Sequence, residues 1–158
     1  MLDAGCGTGE NTLHLAALGL PVLGTDVAAT ALALAGQKAA QRGLAAEFLV
    51  ADALHLESLG RTFRTVLDSG LFHTFDRREQ SRYARSLASA TRTGGTLYLL
   101  AFSDAGPDQG PHPVSPADLR KAFSAEAGWR TATIVPDRLQ TRFHPHGAAA
   151  WLACVERA

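Results

Sequence analysis

The segment Leu2-Asp3-Ala4-Gly5-Cys6-Gly7-Thr8-Gly9-Glu10-Asn11 constrains the fold more than any other stretch of the chain. Glycines at positions 5, 7 and 9 let a backbone turn tightly and bring bare N–H groups against a ligand. A short apolar run precedes this loop. A helical pattern follows it, with Leu13, Ala16, Ala17 and Leu20 on one side. The N-terminus of that helix places positive partial charge directly behind the loop. Strand, glycine loop and helix in this order make a site for the polar or anionic end of a ligand. A dinucleotide-binding fingerprint would need glycine at position 10, where Glu10 stands. Its carboxylate would repel a pyrophosphate, so the loop suits a ligand without one.

The remainder of the chain alternates between the two periodicities. The pattern predicts a helix over 11–18, stopped by Gly19, and a strand over 21–25 that ends at Asp26. An alanine-rich helix follows over 28–42, stopped by Gly43, and then a strand over 47–51 ending at Asp52. A loop or short helix spans 55–60, and a strand over 64–67 ends at Asp68. A helix over 77–92, a turn over 93–95 and a strand over 96–102 ending at Ser103 complete this part. Such alternation predicts an α/β domain, a mostly parallel sheet with helices on both faces. Ligands in such sheets bind beyond the carboxyl ends of the strands. Asp26, Asp52, Asp68 and Ser103 all fall there. Residues 103–116 form a long loop rich in Gly, Pro and Asp, of the kind that carries function or moves. Ser115 followed by Pro116 marks a helix start, with the helix running to residue 126. Strands over 129–136 and 148–156, joined by residues 137–147, close the chain. Its 158 residues make one domain, 1–158.

Asp3-Ala4-Gly5-Cys6-Gly7-Thr8-Gly9 closely resembles the first motif of the class I S-adenosylmethionine (SAM)-dependent methyltransferases. The rest of the chain follows that family's order of elements, most closely that of small bacterial enzymes acting on small molecules. The resemblance implies a Rossmann-like sheet of about seven strands with the last one antiparallel. It implies SAM as cofactor and S-adenosylhomocysteine as product. In that family the loop corresponding to Asp3, Gly5, Cys6, Gly7, Thr8 and Gly9 packs under the cofactor's sugar and methionyl part. The resemblance assigns Asp26, followed by Val27, to the ribose hydroxyls, and Asp52 with Ala53 to adenine. It places Asp68 and Ser69 in the segment beside the methionyl group. In the family a helical segment precedes the first strand and folds over the cofactor. With only Met1 and Leu2 before Asp3, that cover is expected to be absent here. The expected consequence is exposed apolar surface near the glycine loop and strand ends, which a second copy of the chain would cover as a homodimer.

Each of these residues also has a plainer reading. Asp26 and Asp52 stand where helix caps stand, and Asp3 suits a loop-organising acceptor. Phe72 and Phe75 would face a sulfonium or fill the core. His73 is the candidate general base, because histidine titrates near neutrality; its alternative is a polar wall. His112, His144 and His146 read as loop histidines, since His144-Pro145-His146 lacks partners at metal-ligand spacing; no metal is expected. Fifteen basic residues balance fifteen acidic ones, which argues against a nucleic-acid partner. No apolar run is long enough to span a membrane. Two cysteines, Cys6 and Cys154, do not make a disulfide framework, so a reducing, cytoplasmic setting is expected. The expected activity is methyl transfer to an S, O or N nucleophile of a small molecule. The alternatives are a catalytically silent SAM-binding, regulatory or assembly protein, and a non-methylating SAM-dependent enzyme.

Overall fold

The computed structural model of the chain describes residues 1–106, 111–141 and 144–158. Seven strands form one sheet in the order β3-β2-β1-β4-β5-β7-β6. β1 (Leu2–Ala4) lies inside it, between β2 and β4. Short as it is, it pairs on both sides: Leu2 with Leu23 and Val66, Asp3 with Gly24 and Leu67. Leu2 and Ala4 are completely buried, so three residues suffice to anchor the glycine loop. Chain order reverses at β1. From it the chain runs through α1 (Glu10–Ala17), β2 (Leu23–Asp26), α2 (Ala29–Arg42) and β3 (Glu47–Val50) to one edge. It then returns through a 3-10 segment (Ala53–Leu59) to β4 (Phe63–Ser69), α3 (Arg77–Ala90) and β5 (Thr91–Phe102). Right-handed crossovers therefore put α1 and α2 on one face and α3 on the other. The pairs β1–β2, β2–β3, β1–β4 and β4–β5 are parallel, and β7 joins β5 antiparallel, as the fold class requires.

The main core lies under α3. Tyr83, Ala84 and Leu87 pack with Leu97 and Leu99, with Leu119 of α4 (Pro116–Ala122), and with Phe123 and Trp129. Trp129 sets its ring edge-on to Phe123 and donates its indole N–H to the Ala84 carbonyl at 2.9 Å. Leu13, Leu32, Ala35 and Ala39 are buried on the α1–α2 side. α3 starts with a full capping box. Asp76 accepts from the Arg78 and Glu79 N–H groups, both at 2.8 Å, and Glu79 reaches back to the Asp76 N–H. Asp76→Ala is expected to cost about 1 kcal/mol, a fall of roughly 2–4 °C in Tm that thermal unfolding would read.

Three expected boundaries are corrected. The helix expected to reach residue 92 stops at Ala90, because Thr91 is already extended and its hydroxyl caps the Leu87 carbonyl at 2.7 Å. The turn expected at 93–95 lies inside β5. The pairing jumps there from Phe63–Thr91 to Thr65–Thr96, and Gly94 turns left-handed at φ 71°. The last helix ends at Ala122, and a separate 3-10 turn (Ala125–Ala127) follows.

The connection expected over 137–147 is mostly strand. β6 (Trp129–Thr141) and β7 (His144–Arg157) pair as far out as Thr141 with His144. Histidines, proline and glycine made this stretch read as a loop. The ladder instead accommodates Gly147 at φ 74°, and Arg138 bonds the His146 and Gly147 carbonyls. Residues 107–110 of the expected long loop, and residues 142–143, lie outside the described residues. Apolar surface is exposed at Val27 beside the glycine loop. It is also exposed at Leu49 and Val50 on the β3 edge, and at Tyr98 and Val135 on β5 and β6.

Candidate functional site

The glycine loop is held from within. The N–H groups of Gly5 and Cys6 both donate to the Thr25 carbonyl, at 2.8 and 2.9 Å, and that of Gly9 donates to the Cys6 carbonyl. Gly7 donates to Asp26 Oδ2 at 2.9 Å. The N–H groups of Gly5, Cys6 and Gly7 are thus spent on fixing the loop to β2, and that of Gly9 on closing the loop on itself. The glycines are needed for two reasons. All three adopt left-handed φ values, 72°, 54° and 82°. A Cβ on Gly5 would lie 2.7 Å from Leu71 Cδ2, and one on Gly9 would lie 2.7 Å from Ala35 Cβ. A Cβ on Gly7 would meet nothing within 4 Å.

A cleft of about 210 Å³ opens at the carboxyl ends of the strands. Its lining includes Gly5, Asp26, Val27, Asp52, Ala53 and Phe75, six of the positions singled out in the sequence. Ala51, and Leu71 and Thr74 from the segment after β4, complete it. Leu71 and Thr74 lie in the segment after β4 that the resemblance places beside the methionyl group, and they reach the cleft through the turn that Asp68 makes. A larger cavity, about 500 Å³, lies between Ala16, Leu20, Pro21 and Glu47 at the opposite end of the sheet. It has no grouped catalytic side chains and stands away from the strand ends where this fold works.

Asp26 sits at the lip of the cleft. Its Oδ1 accepts from the Ala28 N–H and its Oδ2 from Gly7, each at 2.9 Å. One carboxylate thus closes the turn that leads into α2 and pins the loop. Each oxygen keeps a further lone pair for a ligand hydroxyl. Asp52 makes the cap its position foretold, accepting from the Leu54 N–H at 2.8 Å and pairing with His55 Nδ1 at 2.8 Å. Those two contacts hold its carboxyl below the usual range. Among the described residues no cation lines the cleft. Lys38 and Arg42, which approach the loop from α2, are paired with Glu10 at 2.7 and 3.3 Å. Apolar walls with two carboxylates, Asp26 and Asp52, fit a nucleoside bearing vicinal hydroxyls. They do not fit a diphosphate.

Several expected site residues face inward. Asp3 is buried and accepts from the Thr12 hydroxyl at 2.6 Å. Burial outweighs that bond and pushes its carboxyl up to about 6. Asp68 is completely buried. Its oxygens accept from the Leu71 N–H at 2.8 Å and the Phe72 N–H at 3.1 Å, and burial pushes its carboxyl up to about 7. Asp68 therefore acts on the cleft through the turn it holds. Its carboxylate does not line the cleft. The Cys6 thiol is pushed up to about 12, first by burial and then by the Asp3 and Asp26 carboxylates, so it is no nucleophile. Thr8 accepts from Lys38 through its carbonyl at 3.0 Å, and Ser69 ends β4 opposite Leu100. Phe72 is core, its ring 5.4 Å from Phe123, whereas Phe75 reaches the cleft.

The base role expected for His73 is corrected. The ring is almost wholly buried against Phe102, and its Nδ1 accepts from the Phe102 N–H at 3.2 Å. The ring proton must then sit on Nε2, which donates. Burial, with a smaller contribution from His112, pulls the imidazole down to about 4. Such a ring is neutral near pH 7 and a poor proton acceptor. His144 bonds Thr141, and among the described residues no group of three His, Cys, Asp or Glu side chains is arranged to hold a metal. No helix among the described residues is long and apolar enough to cross a membrane.

The family model described as a methyltransferase domain matches residues 1–95. A curated relative from Mycobacteroides abscessus, 2-heptyl-1-hydroxyquinolin-4(1H)-one methyltransferase, is 39% identical over 143 residues. The match covers 88% of this chain and 62% of that relative. The chain therefore spans less than two thirds of that relative's length. A structure solved in work on conversion of a disulfide bond into a thioacetal group during echinomycin biosynthesis is similar at TM-score 0.87 and 37% identity. That similarity covers 99% of this chain and 74% of that one. Magnesium protoporphyrin IX methyltransferase from Synechocystis PCC 6803, solved with bound S-adenosylhomocysteine, shares the fold at TM-score 0.79 and 24% identity, over 99% of this chain and 73% of that one.

Proposed function

The chain belongs to the class I SAM-dependent methyltransferase family, and we propose that it transfers the methyl group of SAM to a heteroatom of a small molecule. The observation that carries the reading is the cleft at the sheet's switch point. Asp26 stands at its lip, Val27 and Phe75 supply apolar walls, and among the described residues no phosphate-binding cation lines it. Asp26 would accept from the two ribose hydroxyls. Val27, Ala53 and Phe75 would cover the adenine, with Asp52 beside its amino group. Leu71 and Thr74 would set the far wall.

SAM, when bound, supplies a methyl carbon on a cationic sulfur: an acceptor lone pair forms the new bond as the carbon–sulfur pair leaves with sulfur. The leaving group is already good, so the protein's part is to position the acceptor and exclude water. The relative named for a hydroxyquinolinone supports a small, ring-containing acceptor. Two unpaired cysteines and a formal net charge of zero support a cytoplasmic enzyme without a nucleic-acid partner.

Calorimetric titration with SAM, S-adenosylhomocysteine and NAD tests the cofactor. Binding of the first two and none of NAD is expected. Tritium transfer from methyl-labelled SAM to a panel of hydroxyl, thiol and amine acceptors tests the reaction. Cofactor binding with no transfer to any acceptor would favour a SAM-binding protein without catalysis.

A further inference from the structure

Asp68 and Asp3 are buried carboxyls that the fold does not neutralise. Asp68 has no exposed surface and Asp3 almost none. Among the described residues neither has an ion-pair partner. The groups that donate to them are neutral: the Leu71 and Phe72 N–H groups to Asp68, and the Thr12 hydroxyl to Asp3. Tyr83 Oη lies against Asp68 without a well-formed hydrogen bond. Buried charges are ordinarily paired. Here burial lifts Asp68 to about 7 and Asp3 to about 6, and the Asp3 charge adds to the rise at Asp68. A positive charge brought close would favour the ionised form of either.

The two carboxyls lie just behind the cleft. Asp68 Oδ1 is 2.8 Å from the Leu71 nitrogen, and Leu71 lines the cleft. The Leu71 side chain covers Gly5, whose Cβ, were it present, would lie 2.7 Å from Leu71 Cδ2. Gly5 also lines the cleft and follows Asp3 by two positions. A ligand against Gly5 and Leu71 is therefore one residue away from Asp68. The elements packed around Asp68 bring few other titratable groups. β1 brings Asp3, and α3 brings Tyr83, which burial keeps protonated. β5 sets Leu99 opposite Asp68. In the glycine loop the Cys6 thiol stays protonated, and His73, held at about 4, stays neutral above pH 5.5. Asp26 and Asp52 line the cleft itself, Asp52 held in its charged form.

We infer that Asp68 is a specificity-determining residue, the buried counter-charge that favours the cationic cofactor over its neutral product. This rests on the methyltransferase reading above. SAM and S-adenosylhomocysteine differ by one methyl group and by one positive charge at sulfur. Their nucleoside and methionyl groups are the same, so the charge is what a protein can use to tell them apart. Asp68 touches neither ligand; it acts across Leu71. A cation in the cleft favours the ionised carboxyl, so SAM binds with release of a proton from Asp68 to solvent. In the transfer the acceptor's lone pair bonds to the methyl carbon, the carbon–sulfur pair stays on sulfur, and the sulfonium charge is lost. Asp68 then regains a proton from solvent. The sign follows from linkage. The carboxyl titrates higher in the empty chain than in the SAM-bound chain, so SAM affinity rises as pH rises towards 7 and levels off above it. Affinity for S-adenosylhomocysteine stays nearly level.

Calorimetric titration of the full chain with SAM and with S-adenosylhomocysteine, in buffers of different ionisation enthalpy, counts the protons. At pH 6.5 SAM is expected to release roughly half a proton and S-adenosylhomocysteine close to none. The ratio of SAM affinity to S-adenosylhomocysteine affinity should rise about fivefold between pH 5.5 and 7.5. Asp68→Asn separates charge from structure, because its carbonyl can still accept from the Leu71 and Phe72 N–H groups. It should bind S-adenosylhomocysteine as the wild type does, lose most of the proton release with SAM, and hold the affinity ratio nearly level with pH. A residue that only shaped the turn would move both affinities together and leave the proton count unchanged. Equal proton counts for the two ligands, a ratio that does not move with pH, or a release that Asp68→Asn retains would each overturn the inference. The first two are read on the wild type and need no substitution. If both ligands bind and the counts are equal, this inference alone falls. If neither binds, the methyltransferase reading falls with it.

Discussion

Asp26→Ala is expected to weaken SAM and S-adenosylhomocysteine binding by at least a hundredfold in calorimetry. Two effects add. The first is loss of the charge-assisted bonds to the ribose hydroxyls, about 1.5–3 kcal/mol each where water is excluded. The second is release of the glycine loop, because Asp26 also accepts from the Gly7 and Ala28 N–H groups at 2.9 Å. The two separate experimentally. Asp26→Asn keeps an acceptor for one N–H and loses the charge. Comparing adenosine with 2′-deoxyadenosine as ligand isolates the hydroxyl term. In the wild type, removing the 2′-hydroxyl should cost about tenfold; in Asp26→Ala it should cost little. Equal discrimination in both proteins would leave Asp26 as a turn and loop anchor only. Asp26 is half-exposed and outside the core, so the variant should keep most of its thermal stability.

The same residue shows how much of this site is legible in a sequence. Asp26 can be read because two local rules converge on it: a strand ends there and a helix begins. The glycine loop can be read because left-handed φ at three alternate positions excludes other residues. The sheet order follows from alternating periodicities and the handedness of crossovers. What could not be read depends on contacts across the sheet. Asp68 looks like Asp26 in sequence, each an acid at the end of a parallel strand, yet one is at the lip of the cleft and the other has no exposed surface. The difference comes from Leu71 and Phe72 folding back over Asp68, which no spacing announces. His73 follows the same pattern. Its identity pointed to a base, but the Phe102 N–H, 29 positions away, decides which nitrogen carries the proton. The β6–β7 hairpin was underestimated because a glycine inside a ladder reads locally as a turn.

Asp68 underlies the second large effect, on stability. Asp68→Ala is expected to cost about 3 kcal/mol or more, because it leaves the Leu71 and Phe72 N–H groups buried without an acceptor. Asp68→Asn should retain the turn, since its carbonyl oxygen can still accept. The two variants separate hydrogen bonding from charge, and pH then isolates the charge. The folded carboxyl is pushed up to about 7, mainly by burial, and Asp3 beside it to about 6. Unfolded aspartates titrate near 3.9. Between about 4 and 7 these two carboxyls hold more protons in the folded chain than in the unfolded one, and together they outweigh the opposite contribution of His73, held down at about 4, so stability falls as pH rises through that window. The wild-type Tm should be several degrees higher at pH 5.5 than at pH 8.5. Below about pH 4 the opposite slope takes over. There Asp118, held down at about 2 by Arg77, and Asp52, held down by the Leu54 N–H and His55, give up their stabilisation on protonation. Asp68→Asn carries no charge at any pH, so it should remove the largest part of the fall between 5.5 and 8.5, leaving the opposed contributions of Asp3 and His73, and be more stable than wild type at the upper end. The Tyr83 hydroxyl lies against Asp68 without a well-formed hydrogen bond, and burial also keeps it protonated, so it adds no charge in this range. Thermal unfolding of wild type and Asp68→Asn at the two pH values decides the matter. Identical slopes would mean that Asp68 is ionised in the folded chain throughout, its charge carried by the two N–H donors alone.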